Sequence, residues 1–301
     1  MADKRFLDFA TDSTPNSANF ILEADSKNGV RKTTIEDAVA STNIVANINA
    51  KTSKLWNNAA AHNGIYRGKD LTAYFDSGDM STAIANGSFD DIFPGDYITK
   101  QVTVDGASIG AVKFLIADLD YEAGTGESAL THHVDVVPQD VLNVNTRMCA
   151  TDDTTGGYVA SEMWQTTIPK YVTAIQNAFG GHVLKHRELL TNAVDAGSSS
   201  GWGWYDVYVN LMNENMVYGG RVWGSGHDTG ERTSQLALFR LNPSARIAGY
   251  RGDLGARRWY WLTAVASASR FAGCDGQGFA GFSDASSADG YTGLRPHFLL
   301  Y

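Results

Sequence analysis

Tryptophan is distributed very unevenly along this chain of 301 residues. Five of the seven tryptophans lie between Trp202 and Trp261, and the density of aromatic residues rises from Ile92 onward. Because large aromatic side chains bury the most apolar area, the main hydrophobic core is expected in this C-terminal part. The residues before it are rich in Ser, Asp, Asn and Gly, and they predict smaller, more polar structures.

The charge and apolar content of the chain exclude several classes of protein. Lys and Arg number 24 against 33 Asp and Glu, so the net charge is −9, which disfavours nucleic-acid binding. No apolar run approaches the roughly 18 residues of a membrane span, and the first residues lack the apolar stretch of a signal peptide. Two cysteines are too few for a disulfide framework or a four-cysteine zinc site. We expect a protein made in a cytoplasm, with no membrane contact and no cofactor.

Residues 1–33 form the first segment of the chain, and they predict a short β-hairpin. Asn28-Gly29 separates the apolar residues 20–22 from Val30. Both Asn and Gly tolerate the positive φ of a type I′ turn, so this dipeptide between apolar residues is a strong hairpin signal.

A helix is predicted from Thr34 to about Ala61. Thr33-Thr34-Ile35-Glu36 is a capping box, and Gly64 is a plausible residue to end the helix. The apolar residues form an interrupted seam at 3.5-residue spacing, which leaves two interpretations open. The pattern favours an oligomeric stalk over residues 34–62, and the alternative is a helix docked on its own domain.

Residues 63–92 contain four glycines among Ser, Asp and Asn, so they are interpreted as a linker or a small turn-rich subdomain. The main domain is expected to begin at residue 93. Its first elements are predicted to be two paired strands, residues 97–104 and 111–119, joined through Asp105-Gly106.

The middle of the main domain is predicted to be helical. Apolar residues recur at a spacing of three to four over residues 161–179, where Pro169 requires a break or a new start. Residues 186–194 and 205–218 are predicted to be further helices. The last 45 residues have a strand-and-turn pattern. The fold class is therefore α+β, with a short N-terminal hairpin and a helical stalk preceding the main domain.

Two glycine-rich motifs match known functional patterns without their context. Residues 276–281 read G-x-G-x-x-G, but the residues that follow do not predict the helix that a dinucleotide site needs. Residues 197–201 read G-x-S-x-G, but the preceding residues read as a helix rather than the strand of a nucleophile elbow. The first is interpreted as a glycine-rich turn between strands and the second as a flexible loop.

Two groups of potential metal ligands are incomplete. His182 and His186 have the spacing of zinc ligands, but Val183 stands where a metalloprotease has its general base, so a surface or capping role is expected. Residues 118–122 begin like an EF-hand loop but lack its turn glycine and its terminal acid. One carboxylate in a looser calcium site is left open. We assign no metal site and no enzyme motif from these residues.

The C-terminal part resembles a family of phage, prophage and gut-bacterial domains with the C-type-lectin-like, formylglycine-generating-enzyme-like fold. The matching motifs occur in order at residues 156–163 (G-G-Y-x-x-S-x-M), 259–262 (W-Y-W-L) and 293–300 (G-L-R-P-x-F-L-L). The resemblance covers residues 93–301 and implies a lectin-like domain. It does not carry over catalysis, because nothing around Cys149 or Cys274 supplies the reactive cysteine site of the formylglycine-generating type.

The N-terminal segment resembles the short attachment segment of phage tail and head-fibre proteins. The match lies at residues 20–25 and 29–35. Together the two resemblances imply an attachment segment, a stalk, a linker and a lectin-like head, with boundaries at 1–33, 34–62, 63–92 and 93–301. That order is the order of a virion fibre or receptor-binding protein.

The resemblance implies a virion structural protein, a tail or head fibre, that displays the lectin-like domain for host-surface binding as a homotrimer. Its partners would be other virion proteins at the N-terminal segment and a host-surface glycan or protein. In phage proteins of this fold the ligand surface lies in the C-terminal strands and loops. The contacts carried over onto this chain are Arg270, Asp275, Gln277, Phe279, Asp284 and Tyr291, whereas Trp259, Trp261 and Arg295 are expected in the scaffold. The alternative is a purely structural head-fibre, decoration or baseplate subunit without a host ligand.

Overall fold

The computed structural model describes residues 20–25, 29–34, 52–53, 55–124, 130–230, 234–250, 253–289 and 291–301. The chain divides into two compact units, residues 1–56 and 57–301. Helices account for 25% and strands for 38%, which confirms a mixed α+β fold. None of the described helices is long and apolar enough to cross a membrane.

The first unit contains the two strands that the sequence predicts. Strands β1 (Phe20–Asp25) and β2 (Gly29–Thr34) pair antiparallel, with Phe20 opposite Thr34. Thr34 therefore ends a strand, where the capping box predicts the first turn of a helix. Residues 35–51, which make up most of the expected stalk, lie outside the described residues.

The predicted helix does not continue unbroken to Ala61. Asn58 is extended, with φ −158° and ψ 160°, and its side chain accepts a hydrogen bond from the Ala61 amide at the start of helix α1 (Ala59–His62). Asparagine competes for backbone hydrogen bonds in this way and so favours helix starts over helix interiors. The Asn57-Asn58 pair is the signal that the periodicity analysis passed over.

Residues 63–92 belong to the second unit rather than to a linker. They form helices α2 (Thr72–Asp76) and α3 (Asp79–Ala85), and Leu71, Met80 and Ile84 are completely buried in the core. The glycine and serine content of this segment supplies turns between short helices. The structure therefore places no domain boundary at residue 93.

Two sheets organise the second unit. Their strands, and those of a separate hairpin, are β3 (Tyr97–Val104), β4 (Ala107–Leu119), β5 (Val134–Pro138), β6 (Asn143–Val144), β7 (Val183–Leu184), β8 (His186–Asp195), β9 (Ser198–Val207), β10 (Val209–Leu211), β11 (Ala248–Tyr250), β12 (Asp253–Ser267), β13 (Arg270–Cys274), β14 (Ala280–Asp284), β15 (Thr292–Leu294) and β16 (Pro296–Leu300). The first sheet has the order β10-β16-β5-β4-β3, with β7 also paired to β16, and the second has the order β14-β13-β12-β15-β6, with β11 paired to β12. The separate hairpin pairs β8 with β9.

Helical elements fill the spaces between the strands. A short 3-10 turn, Tyr158–Ala160, and a π-helical turn, Met163–Thr167, precede helix α4 (Ile168–Phe179), and Pro169 lies in the first turn of α4 as predicted. Helix α5 (Glu214–Tyr218), helix α6 (Ala237–Leu241) and the 3-10 turn Pro243–Arg246 follow later in the chain.

The hydrophobic residues form two cores, and strand β12 separates them. Side chains alternate across a strand, so Trp261 and Val265 enter one core while Tyr260 and Leu262 enter the other. The side chains of strand β4 are divided between the two cores in the same way. The W-Y-W-L motif is thus apolar on consecutive positions because both faces of its strand are covered.

The predicted pair of strands around Asp105-Gly106 is confirmed as β3 and β4, and both turn residues have positive φ (49° and 80°). The predicted helices at 186–194 and 205–218 are wrong. Residues 186–195 form β8, paired with the tryptophan-rich β9, and only Glu214–Tyr218 of the second segment is helical. Cross-strand packing against bulky aromatic residues outweighs the local helical pattern here.

The turn between β8 and β9 was interpreted as a flexible loop, but it is a tight hairpin connection. Ala196 and Gly197 have φ of 48° and 81°, and Asp195 lies opposite Ser198. Positive φ at both central residues is the geometry of a type I′ turn, whose twist matches that of the flanking strands. Residues 197–201 therefore continue into a strand and form no nucleophile elbow.

Strand β15 provides a test of the close packing in the second sheet. A Cβ at Gly293 would overlap the carbonyl oxygen of Asn143 and lie 2.9 Å from Val141 Cβ. We expect Gly293→Ala to lower the free energy of unfolding by about 1–3 kcal/mol, the usual cost of overpacking, as measured by chemical denaturation. Gly181→Ala is the control, because nothing lies within 4 Å of its Cβ position. Equal stabilities of the two variants would contradict this packing.

Candidate functional site

The six carried-over contact residues fall into two groups at opposite ends of the β13–β14 hairpin. Arg270 pairs with Asp284 at one end, and Cys274 pairs with Ala280 at the other. Arg270 and Cys274 are four positions apart along β13, which is about 13 Å at the usual rise of a strand. Asp275, Gln277 and Phe279 lie in the turn that follows Cys274, so the structure does not bring all six into one patch.

The turn of the hairpin is held by Asp275. Its carboxylate accepts hydrogen bonds from the backbone amides of Gln277 (2.8 Å) and Phe279 (2.9 Å), and its own amide donates to the Phe279 carbonyl. Gly278 has a φ of 86° and completes the turn. The predicted glycine-rich turn between strands is confirmed, and Asp275 is occupied inside it rather than presented to a ligand.

Two aromatic side chains are exposed at this end of the sheet. Phe279 is 65% exposed and Tyr291 is 62% exposed. Strand β12 connects them: Trp259 pairs with Thr292, the residue after Tyr291, and Tyr260 pairs with Cys274, close to the turn. We call Gln277, Phe279, Tyr291 and the neighbouring Arg258 the turn-end surface.

Neighbouring groups restrain the turn-end surface. The guanidinium carbon of Arg258 lies 5.7 Å from the centre of the Tyr291 ring, a cation–π distance. The Tyr218 hydroxyl donates to the Phe279 carbonyl oxygen at 3.1 Å. Exposed aromatic rings on a restrained backbone can bind a partner with little loss of conformational entropy.

At the other end of the hairpin, Arg270 and Asp284 form an ion pair (2.7 Å) in which both side chains are partly exposed. The Arg270 guanidinium also lies 5.1 Å from the Phe282 ring, against which the partly exposed Trp223 packs edge-on. Both charges are therefore satisfied by each other. Asp284 is half-buried, and neither residue reaches the turn-end surface.

A buried cluster of charged residues was missed by the sequence analysis. His297 Nδ1 lies 3.3 Å from Asp135 Oδ2, and its Nε2 lies 3.3 Å from Glu188 Oε1. His186 Nε2 lies 3.0 Å from the same Glu188 oxygen. Asn210 donates to the other oxygen of Glu188 at 2.7 Å. We call these five residues the buried ion cluster; it joins β16, β5, β8 and β10.

The pKa values in the buried ion cluster shift in opposite directions. Burial opposes ionisation of Glu188, but the charge of His297 and the hydrogen bond from His186 outweigh it and hold the pKa of Glu188 below its ordinary value. Burial likewise disfavours protonated His297, but Asp135 and Glu188 raise the pKa of His297 well above its ordinary value. The two neighbouring carboxyl groups therefore favour the protonated form of His297.

Glu122 lies near this cluster, and its pKa is shifted in the opposite direction from that of Glu188. Burial raises the pKa of Glu122, and the charges of Glu188 and Asp135 raise it further. Glu122 and Glu188 both line a narrow cavity of about 30 Å³, together with Asp228. The backbone amide of Glu122 donates to His133 Nε2, and burial lowers the pKa of His133.

The potential metal ligands of the sequence do not converge. Asp118 accepts hydrogen bonds from Asn63 Nδ2 (2.8 Å) and the Ala237 amide (2.7 Å), and burial raises the pKa of Asp118 to about 7. Asp120 instead contacts His132. Within the residues that the structure describes, no group of three or more His, Cys, Asp or Glu side chains could hold a metal ion.

The two histidines with zinc-ligand spacing also have separate roles. His182 Nδ1 lies 3.0 Å from the carbonyl oxygen of Tyr301, which follows strand β16 and ends no helix. His186 is buried in the ion cluster, so the expected surface position is wrong for this residue. The spacing of two in His186-x-Glu188 places both side chains on one face of β8, a signal that the helical interpretation concealed.

Both thiols of the chain are free. Burial raises the pKa of the Cys149 thiol and, more deeply in the second core, that of Cys274. A raised pKa lowers the thiolate fraction and with it the nucleophilicity of the sulfur.

Comparison of the chain with protein-family models, with curated proteins and with solved structures found no match. The family resemblance therefore rests on the sequence motifs alone.

The buried ion cluster predicts a specific pH dependence of stability. Because the pKa of Glu188 is lowered from its ordinary value of 4.5, its stabilising contribution is complete above pH 4.5 and is lost as the pH falls below that value. Glu188→Gln is expected to cost about 3–5 kcal/mol at pH 6, because it leaves buried histidine charge without its partner. The loss in free energy of unfolding caused by Glu188→Gln should become smaller toward pH 3.

Urea denaturation of both proteins from pH 3 to pH 7 measures this difference. Taking the difference removes the part of the opposite Glu122 contribution that burial causes, which is common to both proteins, and leaves only the part that the charge of Glu188 causes. Asp206→Asn serves as the control, because Asp206 forms only exposed ion pairs with Lys185 and Arg187, and little change is expected. A pH-independent cost of Glu188→Gln would show that the carboxylate is not ionised in the fold.

Proposed function

We propose that this chain is a virion structural protein of a phage or prophage, a tail or head fibre, which binds the host surface through a lectin-like C-terminal domain. In this proposal the N-terminal segment, residues 1–33, contacts other virion proteins, and residues 34–62 form the stalk of a homotrimer. The protein is made in the host cytoplasm and functions in the virion.

The order of the segments supports the proposal. A small two-stranded unit precedes a large unit that begins at Asn57, and the three motifs of the lectin-like family follow in sequence. The large unit has its first strand, β3, and its last strand, β16, in one sheet. A scaffold of that kind can display loops while its N-terminal side leads back toward a particle.

The observation that carries the binding part of the proposal is the turn-end surface. Phe279 and Tyr291 together expose large apolar rings that no described part of the chain covers. Hydrogen bonds at Asp275 and from Tyr218 fix the backbone around Phe279, and Arg258 lies beside Tyr291. Rigid aromatic rings beside polar groups are typical of binding surfaces.

We propose no enzymatic activity. Glu122 and Glu188 line one cavity with pKa values shifted in opposite directions, an arrangement that acid–base catalysis uses. However, both oxygens of Glu188 are engaged within the protein, by His297 and His186 on one side and Asn210 on the other. That carboxylate is not presented to a substrate, so we interpret it as part of a structural ion network.

The second candidate function is a purely structural virion component. Leu55 is 70% exposed and Trp56 is 66% exposed at the end of the first unit. Neighbouring large apolar side chains exposed on one chain are typical of subunit contacts. This observation supports oligomerisation, and it fits a head-fibre, decoration or baseplate subunit as well as a host-binding fibre.

A cell-binding experiment on the full chain separates these functions. The fluorescently labelled protein is titrated onto a panel of intact bacterial strains, each paired with a mutant that lacks its surface polysaccharide. We expect saturable binding to at least one strain. The double variant Phe279→Ala/Tyr291→Ala should bind at least about tenfold more weakly, because each buried aromatic anchor contributes more than 1 kcal/mol.

Tyr301→Ala is the matched control, since this exposed ring lies outside the turn-end surface, and it should bind normally. Binding that survives the double variant would overturn the assigned surface. A folded protein that binds no strain would overturn host binding and favour the structural role. Light scattering on the same samples measures the mass, and a monomer would contradict the trimeric fibre.

A further inference from the structure

A cavity of about 300 Å³ opens on the second unit, on a different set of residues from the turn-end surface. Its size lies at the lower end of the range of small-molecule sites. It is bounded by β3 and β4 on one side and by the 3-10 turn Pro243–Arg246 on the other. The lining residues are Tyr66, Gly68, Gly95, Tyr97, Lys113, Leu115, Gln139, Asn242, Ser244, Ala245, Ile247 and Arg295.

The charge of this lining is one-sided. It contains two cations, Lys113 and Arg295, and no Asp or Glu. The chain as a whole carries a net charge of −9, so a cavity wall with only positive charge is unusual for this protein. Cavity walls of low dielectric strengthen the attraction of such charges for an anion.

Arg295 supplies a fixed charge in the wall. It is completely buried, and its hydrogen-bond partners are the backbone carbonyl oxygens of Pro138, Ala245 and Arg246 rather than a carboxylate. Its Nη2 has no hydrogen-bond partner among the described residues. A buried guanidinium usually has a carboxylate beside it, so an anion from outside would complete the electrostatic balance of this one.

Lys113 supplies a charge that can move. It is half-buried, and its Nζ lies 3.9 Å from the centre of the Tyr97 ring. The charge of Lys113 helps to lower the pKa of Asp70, but the main cause is hydrogen bonding from Thr72, to which Asp70 is committed. Asp70 does not line the cavity, so the ammonium group remains able to turn toward a ligand.

The remaining lining residues suit a ring that carries hydroxyl groups. Gln139, Asn242 and Ser244 offer amide and hydroxyl side chains, and the Tyr66 ring is 47% exposed at the rim. A Cβ at Gly95 would overlap the Tyr66 ring, so the glycine lets this ring lie against the cavity wall. Sugars combine hydroxyl groups with a face that packs on aromatic rings.

We propose that this cavity binds a small anionic sugar, one that carries a carboxylate or a phosphate group. The anionic group lies against Lys113 over the buried charge of Arg295, and the sugar ring contacts Tyr66 and the polar side chains. The evidence for this site comes from the cavity alone, so the proposal does not depend on whether the turn-end surface binds a host. Gly278 of the β13–β14 turn packs near Ile247 of the lining, so the cavity adjoins that surface.

Titration calorimetry on the full chain at low ionic strength tests this site. Three probes separate the possibilities: glucuronate carries a carboxylate, glucose 6-phosphate carries a phosphate, and glucose is the neutral control. We expect one of the two anionic sugars to bind and glucose not to bind. Binding should weaken as salt is added, because the interaction includes a charge that solvent can reach.

Variants locate the binding. Lys113→Gln removes one charge-assisted contact and should weaken binding about tenfold, while the protein keeps its fold because Lys113 is only half-buried. Lys170→Gln is the matched control, since Lys170 pairs with Asp105 and does not line this cavity. The proposal is overturned if neither anionic sugar binds, if glucose binds equally well, or if Lys113→Gln binds as tightly as the Lys170→Gln control.

Discussion

The buried ion cluster is the constraint on which the first sheet depends. His297 is completely buried and lies between Asp135 and Glu188, 3.3 Å from an oxygen of each. The attraction between such charges offsets their desolvation only when every partner is in place. Because the partners come from β5, β8 and β16, the cluster specifies how the β8–β9 hairpin attaches to the first sheet as well as stabilising it.

The two cores depend in turn on strands that are covered on both faces. Strand β12 places Trp261 in one core and Tyr260 in the other, and the Trp261 indole donates to the carbonyl oxygen of Thr146. A strand of this kind cannot shift its register by one residue without exchanging the contents of the two cores. The backbone of the turn-end surface is restrained by the same strand, because Trp259 of β12 pairs with Thr292, the residue next to Tyr291.

Sequence reasoning was accurate where local chemistry decides the structure. The Asp105-Gly106 turn, the proline at the start of helix α4 and the turn after Cys274 follow from φ preferences and missing amide hydrogens, which are properties of single residues. It failed for β8 and for residues 63–92, where contacts with residues distant in sequence determine the structure. Of the predicted contacts, Phe279 and Tyr291 are exposed as expected. Sequence reasoning missed the buried ion cluster, because only His186-x-Glu188 leaves a local pattern and the other members come from strands distant in sequence.

The position of strand β16 determines when the first sheet can form during synthesis of the chain. Residues 296–300 pair with β5 on one side and with β7 and β10 on the other, so this late segment lies inside the first sheet. The sheet cannot form completely before residue 300 has left the ribosome, and until then the edge of β5 that pairs with β16 has no partner. Completion of this sheet therefore waits for β16, and the shorter nascent chain exposes apolar strand edges of the kind that chaperones bind.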